Sequence, residues 1–398
     1  MTFLASATEA LETAAKLAAE FEAGASDRDA QRLLPHQQVE SLKQSGLLGI
    51  SVPRAHGGID APAEVLAEVF RLIAHADPSL AQIPHSHFVF LEAVRLQGTG
   101  DQQAYFSRLV LDGALLANAQ SERGPHPIDV DTTTLTRDAH GDFVLSGRKF
   151  YSTGALFADW VVVRASVDDG QVPTATTPKA LAFVPRDAAG VEVVDDWDGM
   201  GQRTTASGTV TLTEVAVPAE HMVPFSPIFA APTTYGARAQ LWHAAIDVGI
   251  ATGALAAGVR QAQRARPHFE ASVPTAAEDP TLIAAAGELT VSVRAAQALL
   301  GDAARAVDAA TAHLTEESAA TASVAVAVAK VAAVRASLEA SSALFELGGT
   351  RSASASGNLS RYWRDARTHT LHDPTRWKLQ HIGRHTLTGT HPPRHGQL

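Results

Sequence analysis

The sequence Ala180-Leu181-Ala182-Phe183-Val184-Pro185 is one of six short runs that together indicate the fold. Each run is rich in aliphatic, β-branched or aromatic residues, and turn residues separate most of the runs. This pattern is typical of the strands of a small antiparallel sheet. It predicts a central β-barrel-like domain over residues 119–227. The other five runs lie at residues 132–136, 142–145, 160–163, 191–194 and 209–213.

Helical periodicity surrounds this β-region on both sides. From Leu11 onward, apolar residues recur at i, i+3, i+7 and i+10, which predicts an N-terminal α-helical domain over residues 1–118. Residues 228–398 are expected to form a C-terminal four-helix-bundle domain with a C-terminal arm. Its helices are apolar on nearly all sides, so they form the centre of a bundle or are covered by another subunit. The predicted fold class is therefore α+β, mostly α. The long C-terminal helices are predicted near residues 238–265, 280–312 and 317–347.

Composition and charge exclude several classes of protein. The 398 residues are 45% apolar and 19% charged, which is typical of a well-packed globular chain. The net charge of −10, without a long basic cluster, argues against nucleic acid or an anionic membrane as a partner and favours a small molecule. The sequence contains no cysteine, so disulfides, iron–sulfur clusters and cysteine nucleophiles are excluded. Asp247 and Lys330 interrupt the longest apolar runs, and Glu9 comes too early for an export signal, which predicts a cytoplasmic location.

Several local motifs occur in the order and spacing of the acyl-CoA dehydrogenase superfamily, which the chain resembles over residues 30–385. This resemblance implies a helical, then β, then helical chain that binds a flavin. Two of these motifs, Met200-Gly201-Gln202-Arg203 and Arg364-Asp365-Ala366-Arg367, resemble the "G-x-R" and "RDA" marks of that superfamily. The others are Gly46–Pro53 with Gly57-Gly58, Asn118–Glu122, Gly147–Gly154 and Leu347-Gly348-Gly349.

The catalytic carboxylate of the dehydrogenases is missing from its expected positions. Those enzymes use a glutamate to take a proton from the substrate, either after the "RDA" motif or early in the first long C-terminal helix. Here the second location reads Gln240-Leu241-Trp242-His243, and the first reads Arg367-Thr368-His369-Thr370-Leu371-His372-Asp373-Pro374. The latter sequence resembles the two-component flavin monooxygenases of the dibenzothiophene monooxygenase and sulfur-acquisition type.

That resemblance implies a different reaction. Enzymes of this branch receive reduced FMN from a separate NAD(P)H:flavin reductase, react with dioxygen and transfer one oxygen atom to an organosulfur substrate. FAD is the alternative cofactor. Because the superfamily packs its C-terminal helices together, the resemblance also implies a homotetramer, with a dimer as the next expectation.

The same resemblance assigns roles to individual residues. Asn118 and Ser152 would donate hydrogen bonds near the reacting edge of the flavin, where His369 and His372 would lie on either side, with His372 as the proton donor or acceptor. His85 or His87 would reach the activated oxygen. Tyr151 and Trp197 would form the apolar wall of the substrate pocket. The expected cofactor-binding residues are Asn118, Ser121, Tyr151, Ser152, Thr153, Arg266, Gly348 and Gly349.

Other interpretations of these residues remain open at this stage. His369 and His372 could fasten a loop, and His85 and His87 could satisfy a helix end. No metal is expected, because no further histidine or glutamate stands near His369, His372 and Asp373 at the spacing of metal ligands. Two alternative functions also remain: an FAD-dependent acyl-CoA dehydrogenase that uses Asp373 as its base, and a non-catalytic flavin-binding protein.

Overall fold

The computed structural model describes residues 2–168 and 170–398, and its N-terminal region consists of helices. The caps of these helices are encoded locally: the Ser6 hydroxyl accepts a hydrogen bond from the amide of Glu9, and Thr99 and Gln102 form a capping box. The helices are α1 (Ala7–Glu22), α2 (Ala25–Gln31), α3 (His36–Gln44), α4 (Ala63–Ala76), α5 (Pro78–Gln82), α6 (His85–Gln97) and α7 (Gly100–Leu111).

A mixed sheet follows these helices, and it contains strands at all six predicted runs. Two short strands, β1 (Leu116–Ala119) and β8 (Met222–Pro224), were not predicted, and β1 begins before the predicted domain boundary at residue 118. Most strand pairs are antiparallel, as predicted, but β4 pairs in parallel with both β1 and β2. The strand order is β6-β7-β3-β2-β4-β5-β8, with β1 also bonded to β4. The strands are β1 (Leu116–Ala119), β2 (Thr134–Arg137), β3 (Phe143–Ser152), β4 (Trp160–Val167), β5 (Lys179–Pro185), β6 (Val191–Val194), β7 (Gly208–Val217) and β8 (Met222–Pro224).

A buried cation fastens β3 to its surroundings. The Lys149 side chain is fully buried, and its ammonium group donates to Glu122 at 2.8 Å and to Asp131 at 3.0 Å. Burial alone would raise the pKa of Glu122, but Lys149 and the hydrogen bonds from Thr132 and Thr133 lower it to about 2. Glu122 therefore remains ionised and fixes the segment after β1 against β3.

Five helices complete the chain, and the three longest match the predicted segments closely. The second and third of these long helices begin at encoded caps: Asp279 accepts from the amide of Thr281 at the start of the second, and the Thr315 hydroxyl accepts from the amide of Ser318 at the start of the third. The first helix of the region is buried along most of its length, between the N-terminal helix α4 and another long helix. One apolar core thus extends from the N-terminal into the C-terminal helices. The five are α8 (Tyr235–Ala262), α9 (Pro280–Ala312), α10 (Glu316–Gly348), α11 (Ser360–His369) and α12 (Thr375–Thr388).

Three of these helices, α8, α9 and α10, are long and apolar enough to cross a membrane by length and composition alone. In the protein, α8 and α10 are largely packed against other helices, whereas most of the apolar stretch of α9 is accessible. Ile283 and Val291 on α9 are among its exposed apolar side chains. The exposed side of α9 is therefore an apolar surface that no other described part of this single chain covers.

Candidate active site

Four histidines from different parts of the chain meet in the interior. His85 begins α6, His243 lies on α8, His369 ends α11, and His372 lies in the turn that follows. The rings of His85 and His243 stack with their centroids 3.8 Å apart, and those of His243 and His372 are 4.8 Å apart. We refer to these four residues as the histidine cluster. The structure thus brings together three histidines expected from the sequence and adds His243.

Local structure places the last two members of the cluster. Helix α11 ends at His369, where Thr370 leaves the helix and the chain turns before Pro374. In that turn Nδ1 of His372 donates to the carbonyl oxygen of His369 over 2.7 Å. His369 is fully buried, whereas His372 lies at the edge of the cluster and keeps exposed surface. The histidine cluster therefore has a closed side at His369 and an open side at His372.

A buried charge pair lies behind His369. Asp247 is one helical turn beyond His243 on α8, and its carboxylate contacts Nδ1 of His369 at 2.6 Å and the ammonium of Lys330 at 2.8 Å. Burial alone would raise the pKa of Asp247, but Lys330 and His369 lower it to about 2. The carboxylate is therefore ionised, so Nδ1 of His369 carries the hydrogen of their hydrogen bond.

Burial disfavours a positive charge on every ring of the cluster. It lowers the pKa of His85 to about 3 and holds the pKa of His243 well below its ordinary value. It also lowers the pKa of His369, although the Asp247 carboxylate opposes that shift. His372 has a lowered pKa as well, because the part of its ring that is buried disfavours the charged form and His369 lies beside it. Burial therefore limits how many of these imidazoles can carry a charge at the same time.

Gln82 joins the two histidines of the C-terminal segment. It is the last residue of α5, a short helix that starts at Pro78 after the capping carboxylate of Asp77. Its amide contacts Nε2 of His369 at 3.1 Å and Nε2 of His372 at 3.2 Å. The ring nitrogens of His243, His369 and His372 lie within 4.8 Å of one another, close enough to share a cation. Hydrogen bonds to Gln82 and between the rings nevertheless account for the facing nitrogens of His369 and His372.

A second polar group lies where β1 and β3 meet. The Asn118 amide donates to the carbonyl oxygen of Tyr151 at 3.1 Å, and the Thr153 hydroxyl is 2.7 Å from that of Ser207. Tyr151 adopts a left-handed backbone conformation with φ of 55°, which is unusual for a bulky residue, and it exposes its ring. Ser152 is fully buried, and its hydroxyl has no hydrogen-bond partner within residues 2–168 and 170–398.

Trp197 and Ser121 contact residues within or next to this second polar group. Trp197 donates from its indole nitrogen to the carbonyl oxygen of Gln202 at 2.8 Å, and its ring lies 6.3 Å from that of Tyr151. Ser121 forms an isolated bridge to Phe150, the residue before Tyr151. These contacts fix the ring of Trp197 and the backbone beside Tyr151.

The second polar group, which we call the strand-end group and which consists of Asn118, Tyr151, Ser152 and Thr153, adjoins the histidine cluster. Gly154 follows Thr153 at φ of 80°, and a Cβ atom there would lie 3.2 Å from the carbonyl oxygen of Ile83. Ile83 follows Gln82, the residue that contacts His369 and His372. One site therefore has hydroxyl and amide groups on the sheet side and imidazoles on the helix side.

Four of the expected site residues lie outside this arrangement. His87 is fully buried, but its Nε2 donates to the carbonyl oxygen of Leu48 at 2.9 Å and its Nδ1 accepts from the amide of Leu116 at 3.2 Å. Both of its ring nitrogens therefore fasten α6 to its neighbours, which corrects the expectation that His87 would reach the reacting oxygen. Arg266 is exposed in the loop after α8, and Gly348 and Gly349 form the end of α10.

Four residues of the site escaped the sequence analysis: His243, Gln82, Asp247 and Lys330. A signal existed for three of them. His243 stands in the segment where some dehydrogenases carry their glutamate, and Asp247 and Lys330 are charges inside otherwise apolar helices. Such charges are rarely buried unless they are paired. Gln82 had no comparable signal, because its role depends on the packing of a five-residue helix against a distant turn.

A sheet between two helical regions, with a polar strand end facing a buried imidazole cluster, defines a flavoenzyme fold of the acyl-CoA dehydrogenase type. Family models agree, since the N-terminal, middle and C-terminal domains of acyl-CoA dehydrogenase match residues 6–114, 116–215 and 241–377. The chain belongs to the acyl-CoA dehydrogenase family. This finding confirms the fold and the family that the sequence motifs predicted.

Within that family the chain is similar to monooxygenases. It is 33% identical to a dibenzothiophene monooxygenase of Rhodococcus qingshengii, over 94% of this chain and 92% of the relative. It is 32% identical to the probable FMNH2-dependent monooxygenase SfnC of Pseudomonas putida, over 96% of each chain. The crystal structure of FMN-bound TdsC from Paenibacillus sp. A11-2 superposes with a TM-score of 0.92 at 31% identity, covering 98% of this chain and 100% of that one. These relatives confirm the predicted monooxygenase branch and FMN as its cofactor.

Proposed function

We propose that this protein is a reduced-FMN-dependent monooxygenase that inserts one atom of dioxygen into an organosulfur compound, with a separate NAD(P)H:flavin reductase as its source of reduced flavin. The observation that carries the proposal is the histidine cluster, which stands where a dehydrogenase of this fold requires a carboxylate base. The names of the relatives support an organosulfur substrate and FMN.

The alternative of an acyl-CoA dehydrogenase depended on Asp373 as the base. Asp373 is buried and forms an ion pair of 2.6 Å with Lys378. Burial alone would raise the pKa of Asp373, but Lys330 and Lys378 lower it below its ordinary value. A carboxylate that is stabilised in this way is a weak base, so the structure favours the monooxygenase.

The strand-end group is suited to hold the reacting part of a flavin. The Ser152 hydroxyl is buried and lacks a partner in the described chain, so a polar ring atom of the cofactor would satisfy it. Asn118, Thr153 and the exposed Tyr151 ring lie beside it, and Ser121 anchors the adjacent backbone. When bound, reduced FMN supplies the electrons that activate dioxygen.

The imidazoles on the helix side provide hydrogen-bonding groups without a nearby free carboxylate. A negative charge facing a site where oxygen gains electrons would oppose the reaction, whereas neutral donors stabilise it. His372 at the open side would exchange a proton with the reacting group, and His369 and His85 would hold the surrounding hydrogen bonds. The buried rings also exclude water from this side of the site.

We also propose a cytoplasmic homotetramer, in which further copies of the chain cover the exposed apolar face of α9. Arg266 forms no hydrogen bond or ion pair within residues 2–168 and 170–398, and its exposed guanidinium in the loop after α8 is suited to contact the phosphate of a flavin bound by a neighbouring copy. Gly349 has open space around it and would allow a close approach of the backbone to the cofactor, whereas Gly348 packs against Ser352 and Gln261 of the same chain, which corrects the expectation that it contacts the flavin. Size-exclusion chromatography with light scattering measures the number of copies.

The proposed activity is tested with purified protein, FMN, an NADH-dependent flavin reductase and ¹⁸O₂. Dibenzothiophene and a small alkyl sulfinate serve as organosulfur probes. We expect at least one probe to gain a single ¹⁸O atom, and only when the reductase and NADH are both present. Bleaching of a bound flavin by an acyl-CoA in the absence of the reductase would instead identify a dehydrogenase.

A further inference from the structure

The Gln82 amide sits between two imidazoles whose outer nitrogens are already committed. Nδ1 of His369 donates to the ionised carboxylate of Asp247, and Nδ1 of His372 donates to a carbonyl oxygen. Both Nδ1 atoms therefore carry hydrogen, so each ring is neutral only if its Nε2 carries none. Both Nε2 atoms face the Gln82 amide, at 3.1 Å and 3.2 Å.

An amide offers an oxygen that accepts on one side and an N–H group that donates on the other. Whichever ring faces the oxygen must donate from Nε2, and that ring is then an imidazolium. The ring that faces the N–H group must accept, and it is then neutral. Rotating the amide by half a turn exchanges the donor and acceptor roles of the two rings. In either orientation of the amide, one ring of the pair is an imidazolium and the other is neutral.

We propose that Gln82 makes His369 and His372 a site for one shared proton, with Asp247 as the residue that positions it. With no added proton, the amide oxygen faces a ring nitrogen that has no hydrogen to donate. With two added protons, an N–H group of Gln82 faces an N–H group of a ring. Only one added proton satisfies every contact in the chain from Asp247 to His372.

The charges around the pair favour His369 as the resting place of this proton. Asp247 lies against its ring, and Lys330 balances that carboxylate from α10. Asp373 and Lys378 form a second, mutually neutralised pair near the turn. His243 lies 3.1 Å from Nε2 of His369, and it can accept or donate there as a neutral ring by changing its tautomer. His85 stacks on His243 and stays neutral.

If the proton leaves Nε2 of His369 for solvent and Nε2 of His372 takes up a proton from water, the count of one added proton is kept, and rotation of the Gln82 amide restores both hydrogen bonds. This step would carry a proton from the closed side of the cluster to its open side, with Gln82 as the positioning residue. The limit of one proton belongs to the free protein, whereas its use in turnover rests on the proposed function. The two can therefore fail separately.

Neutron diffraction from perdeuterated, flavin-free crystals at pD 5 tests the proposal directly. We expect deuterium on both nitrogens of one ring, either His369 or His372, and on Nδ1 alone of the other. Two doubly deuterated rings would show that the histidines titrate independently, and two singly deuterated rings would show that the added proton is absent. Either result would overturn the proposal.

Gln82→Glu provides a variant of nearly the same shape. A carboxylate accepts on both sides, so both rings should be doubly deuterated in crystals at the same pD. Gln44→Glu on the exposed surface of α3 is the matched control, and it should leave the wild-type pattern unchanged. A Gln82→Glu crystal that retains a single imidazolium would contradict the role of the amide, independently of any measurement of oxygenation.

Discussion

Lys330 and Asp247 form an ion pair of 2.8 Å in which both side chains are almost completely buried. The pair connects α10 with α8, and the second oxygen of the same carboxylate accepts from His369 at 2.6 Å. Asp247 therefore joins two long helices and orients an imidazole of the site. A change at this residue should affect both the stability of the protein and the state of the histidine cluster.

Replacement of Asp247 by asparagine should strongly destabilise the fold. It leaves the ammonium of Lys330 buried without a counter-charge, and the loss of one partner of a buried pair costs about 3–5 kcal/mol. We expect a markedly lower denaturation midpoint in urea and a smaller yield of oxygenated product per reduced FMN.

The double variant Asp247→Asn/Lys330→Met separates the two effects. Because it removes the unpaired charge, it should recover much of the lost stability while oxygenation stays low. Asp302→Asn, in an exposed pair with Arg305, is the control and should change stability by less than about 1 kcal/mol. Equal stability of Asp247→Asn and the wild type would show that the pair contributes nothing to the fold.

Ser152→Ala should separate cofactor binding from folding. The Ser152 hydroxyl is fully buried and lacks a partner within the described residues, so its removal should leave the thermal midpoint unchanged or slightly higher. If the hydroxyl bonds to the flavin, the affinity for reduced FMN should fall about tenfold, which corresponds to roughly 1.4 kcal/mol. Anaerobic fluorescence titration measures this affinity.

Ser337→Ala is the matched control for that experiment. Ser337 is also fully buried, but its hydroxyl already donates to the carbonyl oxygen of Val334 at 3.0 Å on α10. Its loss should lower stability by about 1 kcal/mol and leave flavin affinity intact. A Ser152→Ala protein with unchanged affinity for reduced FMN would remove this hydroxyl from the cofactor site.

The sequence was sufficient to predict the helical and β regions of the fold. It predicted only some of the residues on the helix side of the site. Periodicity located the long helices and six strands because it reports directly which face of an element is buried. It missed β1, which contains no β-branched residue, and β8, which has only three residues and ends at a proline. The turn at 367–374 identified His369 and His372 through its resemblance to a known family.

The sequence did not distinguish between His85 and His87, two positions apart on α6. Both are buried, but only His85 belongs to the histidine cluster, because its ring stacks on that of His243 on α8. His87 faces the carbonyl oxygen of Leu48 instead. Such a choice depends on how α6 is rotated against distant segments, and local sequence does not specify that rotation.

His87 should make the stability of the protein sensitive to acid. Burial lowers its pKa from 6.5 to about 4 in the folded chain. Above pH 6.5 the ring is neutral in both states, so the full stability is present. As the pH falls from 6.5 towards 4, only the unfolded chain binds the proton, and folding loses up to about 3 kcal/mol from this residue. Urea unfolding at a series of pH values measures the slope.

The variant His87→Gln tests that assignment, because an amide can also donate to Leu48 and accept from Leu116. The variant should show a smaller loss of stability between pH 6.5 and pH 4 than the wild type, whatever its stability at pH 8. The exposed His140→Gln is the control and should keep the wild-type slope. Identical slopes for all three proteins would mean that His87 does not contribute to the acid sensitivity.

Gly201→Ala should disturb the contact between the sheet and the helix that carries His369. A Cβ atom at residue 201 would overlap the carbonyl group of Arg364 on α11, and the next amide, of Gln202, donates to Asp365 at 2.6 Å. The backbone must shift to fit the methyl group, at a cost of about 1–3 kcal/mol. We expect a lower thermal midpoint together with weaker coupling of flavin oxidation to product formation.

Gly383→Ala is the control, because residue 383 lies in the interior of α12 with open space around it. This variant should raise the free energy of unfolding by about 0.5–1 kcal/mol. If Gly201→Ala matched Gly383→Ala in both stability and coupling, close packing at residue 201 would not be what aligns the two halves of the site.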